Sequence, residues 1–243
     1  MEIRKTTALV TGAAKRVGKT IALALANKGV NIALHYHTSE TEAHTTAEEI
    51  RSLGVKCNLF QADLSDANAV SQMADEALKK TNGIDILINS ASIFYKTPLA
   101  SVKELDWDKF LDTNLKAPFI LCQKIGNDLF KKNGGRIINI ADWSGFRPYR
   151  DYSAYCTSKG GLITLTKALA RDLAPKVFAN AIAPGPVLLP ADFTEEEKEA
   201  ATRKTLLGRV GTPEDIANAV LFLLDNDYIN GTVLTVDGGR SIV

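Results

Sequence analysis

Cysteine is scarce in this 243-residue chain, which has only Cys57, Cys122 and Cys156, an odd number without a Cys-x-x-Cys spacing. That speaks against a disulfide framework or a cysteine zinc site, and the three read as small packing residues in a reducing compartment. A charge surplus is also missing. Lys and Arg number 29 against 28 Asp and Glu, so nothing draws the chain generally to nucleic acid or an anionic membrane, and neither is expected as a partner. No apolar run reaches the roughly 18 residues that suggest a membrane span. Histidines number 3; His35 and His37 share a strand face, but no third ligand stands at a suitable spacing, so no metal is expected. The opening Met1–Thr6 leads at once into an apolar strand pattern with no space for a secretion signal, which makes a cytoplasmic enzyme the expectation.

Hydrophobic residues at 45% and charged residues at 23% match an ordinary globular chain able to bury a full core. Short runs rich in branched apolar residues alternate with stretches of helical period, the pattern of βαβ units. Strands are expected at Thr7–Thr11, Asn31–His35, Lys56–Gln61, Ile84–Asn89, Arg136–Ala141, Phe178–Ala183 and Thr232–Val236. Helices are expected near Lys19–Lys28, Thr41–Leu53, Ala67–Lys80, Lys103–Lys132, Ala154–Leu173 and Glu214–Leu224. The fold class is therefore α/β: one doubly wound Rossmann domain over residues 1–243, a seven-stranded parallel sheet with helices on both faces. Ser39 with Glu42, Ser101 with Glu104, and Thr212 before Pro213 and Asp215 predict helix starts. The segment from about 185 to 211, with Pro186, Pro190 and a possible short helix capped by Thr194 and Glu197, is too long for a plain connection and reads as a substrate lid.

The first strand runs into Thr11-Gly12-Ala13-Ala14-Lys15-Arg16-Val17-Gly18, a glycine turn opening a helix. Unpaired N–H groups and the positive end of the helix dipole suit a pyrophosphate there. At the end of the second strand the acid that would bond a ribose 2′-hydroxyl is absent. His35-Tyr36-His37-Thr38 stands there instead, with Lys15 and Arg16 nearby, so NADPH is expected over NADH. Further on, Tyr155 and Lys159 lie one helical turn apart, where an ammonium ion can favour the phenolate and tune proton transfer. Such pairs also occur on ordinary amphipathic helices.

Taken together these motifs resemble the short-chain dehydrogenase/reductase family over nearly the whole chain. Also similar are Asp63-Leu64 after the third strand, Asn89-Ser90-Ala91-Ser92 after the fourth, Asn114, Pro184-Gly185, and Asp237-Gly238-Gly239. The resemblance implies that Tyr155 donates a proton, that Lys159 holds the nicotinamide ribose and lowers the tyrosine pKa, and that Asn114 supports a water-linked relay. Asp63 and Leu64 would hold the adenine, with Asn89, Ala91, Pro184 and Gly185 around the cofactor, and the assembly would be a homotetramer paired through the helices beginning near Lys103 and Ala154.

One position departs from the family. Thirteen residues before Tyr155, where most members have a serine, stands Asp142. An ionised carboxylate accepts hydrogen bonds and cannot donate one to a carbonyl. Either Asp142 is protonated, or the substrate brings its own donors, or Ser144 substitutes. With Arg16 in place of the second fingerprint glycine, and with Ala91-Ser92-Ile93-Phe94-Tyr95, the chain is most similar to pteridine reductases. That resemblance implies a small-molecule substrate, a pterin, touching Arg16, Ser92, Phe94, Asp142 and Tyr155. Where these relatives have an arginine for the 2′-phosphate, this chain has Thr38. Reduction of a 3-oxoacyl thioester or other carbonyl is the second reading. A dinucleotide-binding regulator without catalysis is the third, and a sensor has no need of Asn114, Tyr155 and Lys159.

Overall fold

The branched apolar runs become the strands of one sheet, the inner ones buried on both faces and the edge strands, at Cys57–Gln61 and Val233–Val236, only partly buried. In the computed structural model, which describes residues 2–132, 134–189 and 193–243, the strands are β1 (Thr7–Val10), β2 (Asn31–Tyr36), β3 (Cys57–Gln61), β4 (Ile86–Asn89), β5 (Gly135–Ile140), β6 (Val177–Pro184) and β7 (Val233–Val236). All pair in parallel in the order β3-β2-β1-β4-β5-β6-β7. Alternate side chains feed two cores. Val10, Leu34, Ile88 and Ile138 point to the layer of α1 (Arg16–Asn27), α2 (Glu40–Ser52) and α8 (Pro213–Asp225). Leu9, Ala33, Leu87 and Ile137 point to that of α3 (Ala67–Lys80), α5 (Ala117–Lys131) and α6 (Ser153–Asp172). Each such Leu or Ile contributes about 1.5–3 kcal/mol by leaving water.

The chain reverses direction across the sheet between β1 and β4, so the crevice beyond their C-terminal ends is the ligand position of a doubly wound sheet. Thr11 ties that edge together: its Oγ1 accepts from the amides of Ser90 at 2.9 Å and Ala91 at 3.0 Å.

Two expectations need correction. The helix predicted over Lys103–Lys132 is α4 (Glu104–Leu111), a π turn (Asp112–Lys116) and α5. Pro118, in the first turn of α5, has no N–H for the carbonyl four residues back, which is that of Asn114. Ser39 is the N-cap of α2 as expected, though without a side-chain hydrogen bond, whereas the start expected at Ser101 is displaced, α4 beginning after Lys103. The capping boxes at Thr212 and Thr194 are present, the latter opening an additional helix, α7 (Glu195–Arg203), with no buried residue. Pro190, within the predicted lid, lies outside the described residues. No described helix is long and apolar enough to cross a membrane.

Candidate active site

Where β1 ends, the backbone turns at Gly12, φ +65°, so closely against β4 that a Cβ would stand 2.9 Å from Ala91 Cα. At Gly18 a Cβ would stand 2.3 Å from the Gly12 carbonyl oxygen. Only hydrogen fits at either place. Helix α1 then opens after Lys15 with no acid in its first turn and with no side-chain cap, whereas the first amides of α3, α7 and α8 are capped by Asp66, Thr194 and Thr212. Those α1 donors and the dipole behind them suit an anion, so the loop fits the pyrophosphate of a dinucleotide.

Arg16 holds φ +57° in this loop, a conformation glycine adopts freely and an arginine at a cost of roughly 1–2 kcal/mol. Its guanidinium reaches across to the Leu188 carbonyl at 3.0 Å. We therefore expect Arg16→Gly to unfold at no lower temperature than the parent while binding NADPH about tenfold more weakly, a loss of about 1.4 kcal/mol, in calorimetry. Unchanged affinity would mean that the side chain faces away from the phosphates.

The residues at the end of β2 divide. His37 and Thr38 are exposed, with His37 Nε2 3.7 Å from Asp63 Oδ2, whose carboxyl is held below the usual range chiefly by the Ser65 amide. His35 instead is buried, and both ring nitrogens are taken: Nδ1 accepts from the Gly12 amide at 3.1 Å and Nε2 lies 3.1 Å from the Ala62 carbonyl. Burial lowers its pKa to about 4, so the ring is a neutral strut behind the glycine loop rather than a group facing a ligand. Tyr36 and Leu64 are likewise buried. Asn89 turns inward, its Nδ2 donating to Asn139 Oδ1 at 2.8 Å, and Asn139 passes the chain on to Thr166. Gly185 packs so tightly that a Cβ would be 2.6 Å from Asp237 Cα.

On the other side of the crevice Asp142 follows β5 and faces Tyr155, two residues into α6. The Tyr155 hydroxyl is 2.8 Å from Asp142 Oδ2, and the Ser144 amide donates to Oδ1 at 2.7 Å. The Ser144 side chain is wholly buried beside Asp142. Burial raises the Asp142 carboxyl, against the Ser144 and Tyr155 hydrogen bonds and the Lys159 charge. Tyr155 is pushed well above 10, first by burial and then by Asp142, so the expected lowering by Lys159 does not prevail in the chain itself. Lys159, buried with its Nζ donating to the Ile140 carbonyl at 2.8 Å and 5.8 Å from the Tyr155 ring centre, drops to about 8. Asn114 completes the group from the π turn. Its Oδ1 accepts from the Ile93 amide at 2.9 Å and its Nδ2 donates to Ser158 Oγ at 3.2 Å.

Phe94, 40% exposed, stacks on Tyr152 at 4.7 Å and meets Tyr155 edge-on at 4.8 Å. Ser92 is exposed beside it. Trp143, Tyr149 and Tyr152 extend this aromatic wall, and with Thr11 and Ser158 they are residues that motif reading missed. Ser158, one turn after Tyr155 and next to Lys159, was the one within reach of spacing arguments.

A family model described as "Enoyl-(Acyl carrier protein) reductase" matches residues 12–241. Among curated relatives, the 3-oxoacyl-[acyl-carrier-protein] reductase FabG of Staphylococcus aureus (strain Mu50 / ATCC 700699) is 38% identical over 239 residues, 96% of each chain. That of Aquifex aeolicus (strain VF5) is 37% identical over 237 residues, 95% of each. Among solved structures, a blue fluorescent protein from a metagenomic library in complex with NADPH superimposes with a TM-score of 0.92 at 32% identity, covering 99% of this chain and 100% of that one. Acetoin dehydrogenase from Enterobacter cloacae gives 0.90 at 30% identity, covering 98% and 96%. The curated relatives carry the activity of the second reading, not that of the pteridine reductases. Fold, glycine loop and whole-length similarity agree, and the chain belongs to the short-chain dehydrogenase/reductase family of NAD(P)-dependent oxidoreductases.

Proposed function

We propose that this chain is an NADPH-dependent reductase of a flat nitrogen heterocycle, a dihydropterin or related pterin. The observation that carries the reading is the Asp142–Tyr155 contact of 2.8 Å, a carboxyl where a carbonyl reductase needs a hydrogen-bond donor. When bound, NADPH would supply the hydride for the carbon of a ring C=N bond. Tyr155 gives its proton to the nitrogen and is reprotonated from solvent through the water-linked relay at Lys159 and Asn114, while Asp142 accepts hydrogen bonds from ring N–H or amino groups. Lys159 supplies positive charge beneath the phenol, and the Phe94 face not covered by Tyr152 offers the substrate a stacking surface. On the cofactor side, Gly12, Val17 and Gly18 shape the loop, while Lys15, Arg16, His37 and Thr38 are exposed where a 2′-phosphate is expected, with no acid among them.

A second reading, reduction of a 3-oxoacyl thioester, is favoured by the names of the curated relatives at 38% and 37% identity. An assay of NADPH oxidation offering dihydrobiopterin and an acetoacetyl thioester side by side separates the two. We expect kcat/KM for the pterin to exceed that for the thioester by about 100-fold, roughly the worth of one well-placed donor or acceptor in the transition state. Turnover of the thioester alone removes the pterin reading. Assembly as a homotetramer belongs to the same proposal, supported by Leu105, Trp107 and Phe119 left exposed on α4 and α5.

A further inference from the structure

Asp142 leads from β5 into a single 3-10 turn, Trp143–Gly145, which is held from two sides. Helix α6 presses on one: a Cβ at Gly145 would stand 2.7 Å from Ile163 Cδ1. The segment after β7 presses on the other. Arg147 Nη1 donates to the Ser241 carbonyl at 3.2 Å and also to the Val243 carbonyl, and the Arg240 guanidinium lies 4.8 Å from the Trp143 ring centre. That segment is itself shaped to meet the turn. The Asp237 carboxylate accepts from the amides of Gly239 at 2.9 Å and Ser241 at 2.6 Å, with Gly239 at φ +79°. Trp143 then meets Tyr149 edge-on at 5.1 Å, and the Tyr149 hydroxyl is 3.5 Å from Asp142 Oδ1. A path of direct contacts thus runs from Arg240 through an indole and a phenol to the carboxyl that Tyr155 touches.

We propose that Arg240 and Arg147 are positioning residues of the acid–base pair, clamping the segment after β7 onto Trp143–Arg147 so that Asp142 stays in hydrogen-bonding register with Tyr155. The inference rests on the reading above in which those two groups meet the substrate. A carboxyl on a loop keeps a 2.8 Å contact only if the loop is fixed to a fraction of an ångström, and a misplacement of about 1 Å can cost about 100-fold in rate. An arginine stacked on a mostly buried indole is worth about 1–2 kcal/mol and needs no carboxylate to hold it. The charged and titratable groups facing Asp142 are Tyr155, Cys156 and Lys159 from α6 and Tyr149 from its own loop, while Arg240 acts on Tyr149 and Trp143 behind them.

The test uses Trp107→Phe as parent, which leaves Trp143 the sole tryptophan, and adds Arg240→Met, Arg240→Lys or Arg147→Gln. Arg240→Met should lower kcat about tenfold with NADPH affinity and melting temperature held, and should shift the pH midpoint seen in Trp143 emission by about half a unit. Arg240→Lys, which keeps a cation over the ring, should restore most of both, and Arg147→Gln should reproduce the kcat loss in part. The proposal is overturned if Arg240→Met leaves kcat and the emission midpoint at the parent's values, or if kcat falls only in step with melting temperature and lysine does not rescue it. Should the parent reduce neither pterin nor thioester, the functional reading falls, and the emission midpoints of the same variants still decide the positioning.

Discussion

Replacing Tyr155 by Phe should lower kcat about 1000-fold while NADPH binding stays within a factor of two, because the change removes one oxygen that carries the proton and nothing that shapes the glycine loop. The pH profile tells which group is titrating. Tyr155 is raised well above 10, so the phenol stays protonated throughout the working range and cannot set an alkaline limb in the reductive direction. Lys159 can, since burial brings it to about 8. Its ammonium supports the phenol below that pH, so reductive kcat should fall as pH rises through about 8. The stability consequence has the opposite sense. Burial strips the ammonium of its hydration, so a lysine whose folded pKa lies below its unfolded value near 10.4 penalises folding while both states are charged, and because between the two values only the unfolded chain holds the proton, stability rises with pH from about 8 to 10.4. A limb near 10 in the wild-type profile, lost in Tyr155→Phe, would instead assign the titration to the phenol.

Much of this was readable from the chain. Strands buried on both faces announce themselves as continuous branched runs, and the observed ends of β4, β5 and β6 lie within two residues of those predicted. The glycine loop and the Tyr155–Lys159 pair were legible because each spacing maps onto one turn of backbone. What was not legible depends on distant residues. His35 looks like a ligand-facing residue by position, but the ring fits between Gly12 and Ala62, two places joined only in the folded sheet. The break in the long helix needed Pro118 to be weighed against an otherwise uniform period. The direction of the Tyr155 shift was missed because spacing reveals a lysine one turn away and says nothing of burial or of how near Asp142 stands.

That carboxyl is also where a single substitution should change the chemistry most. Asp142→Ser replaces an acceptor by a hydroxyl that can donate to a developing alkoxide, a contact worth about 100- to 1000-fold in kcat. Pterin reduction should therefore fall by about 100-fold or more, and acetoacetyl thioester reduction should rise. The fold should tolerate the change, since a serine oxygen can still take the Ser144 amide and a buried carboxyl is removed. Two titrations should move with it. Asp142 raises Tyr155 and Lys159 alike, so without it the phenol shifts down toward 10 and the ammonium shifts further below about 8. The alkaline limb governed by Lys159 must then move to lower pH, which a kcat profile of the variant measures directly. If the limb stays in place, Asp142 carries no negative charge beside Lys159 in the working enzyme, and its part in the reaction is that of a neutral acid.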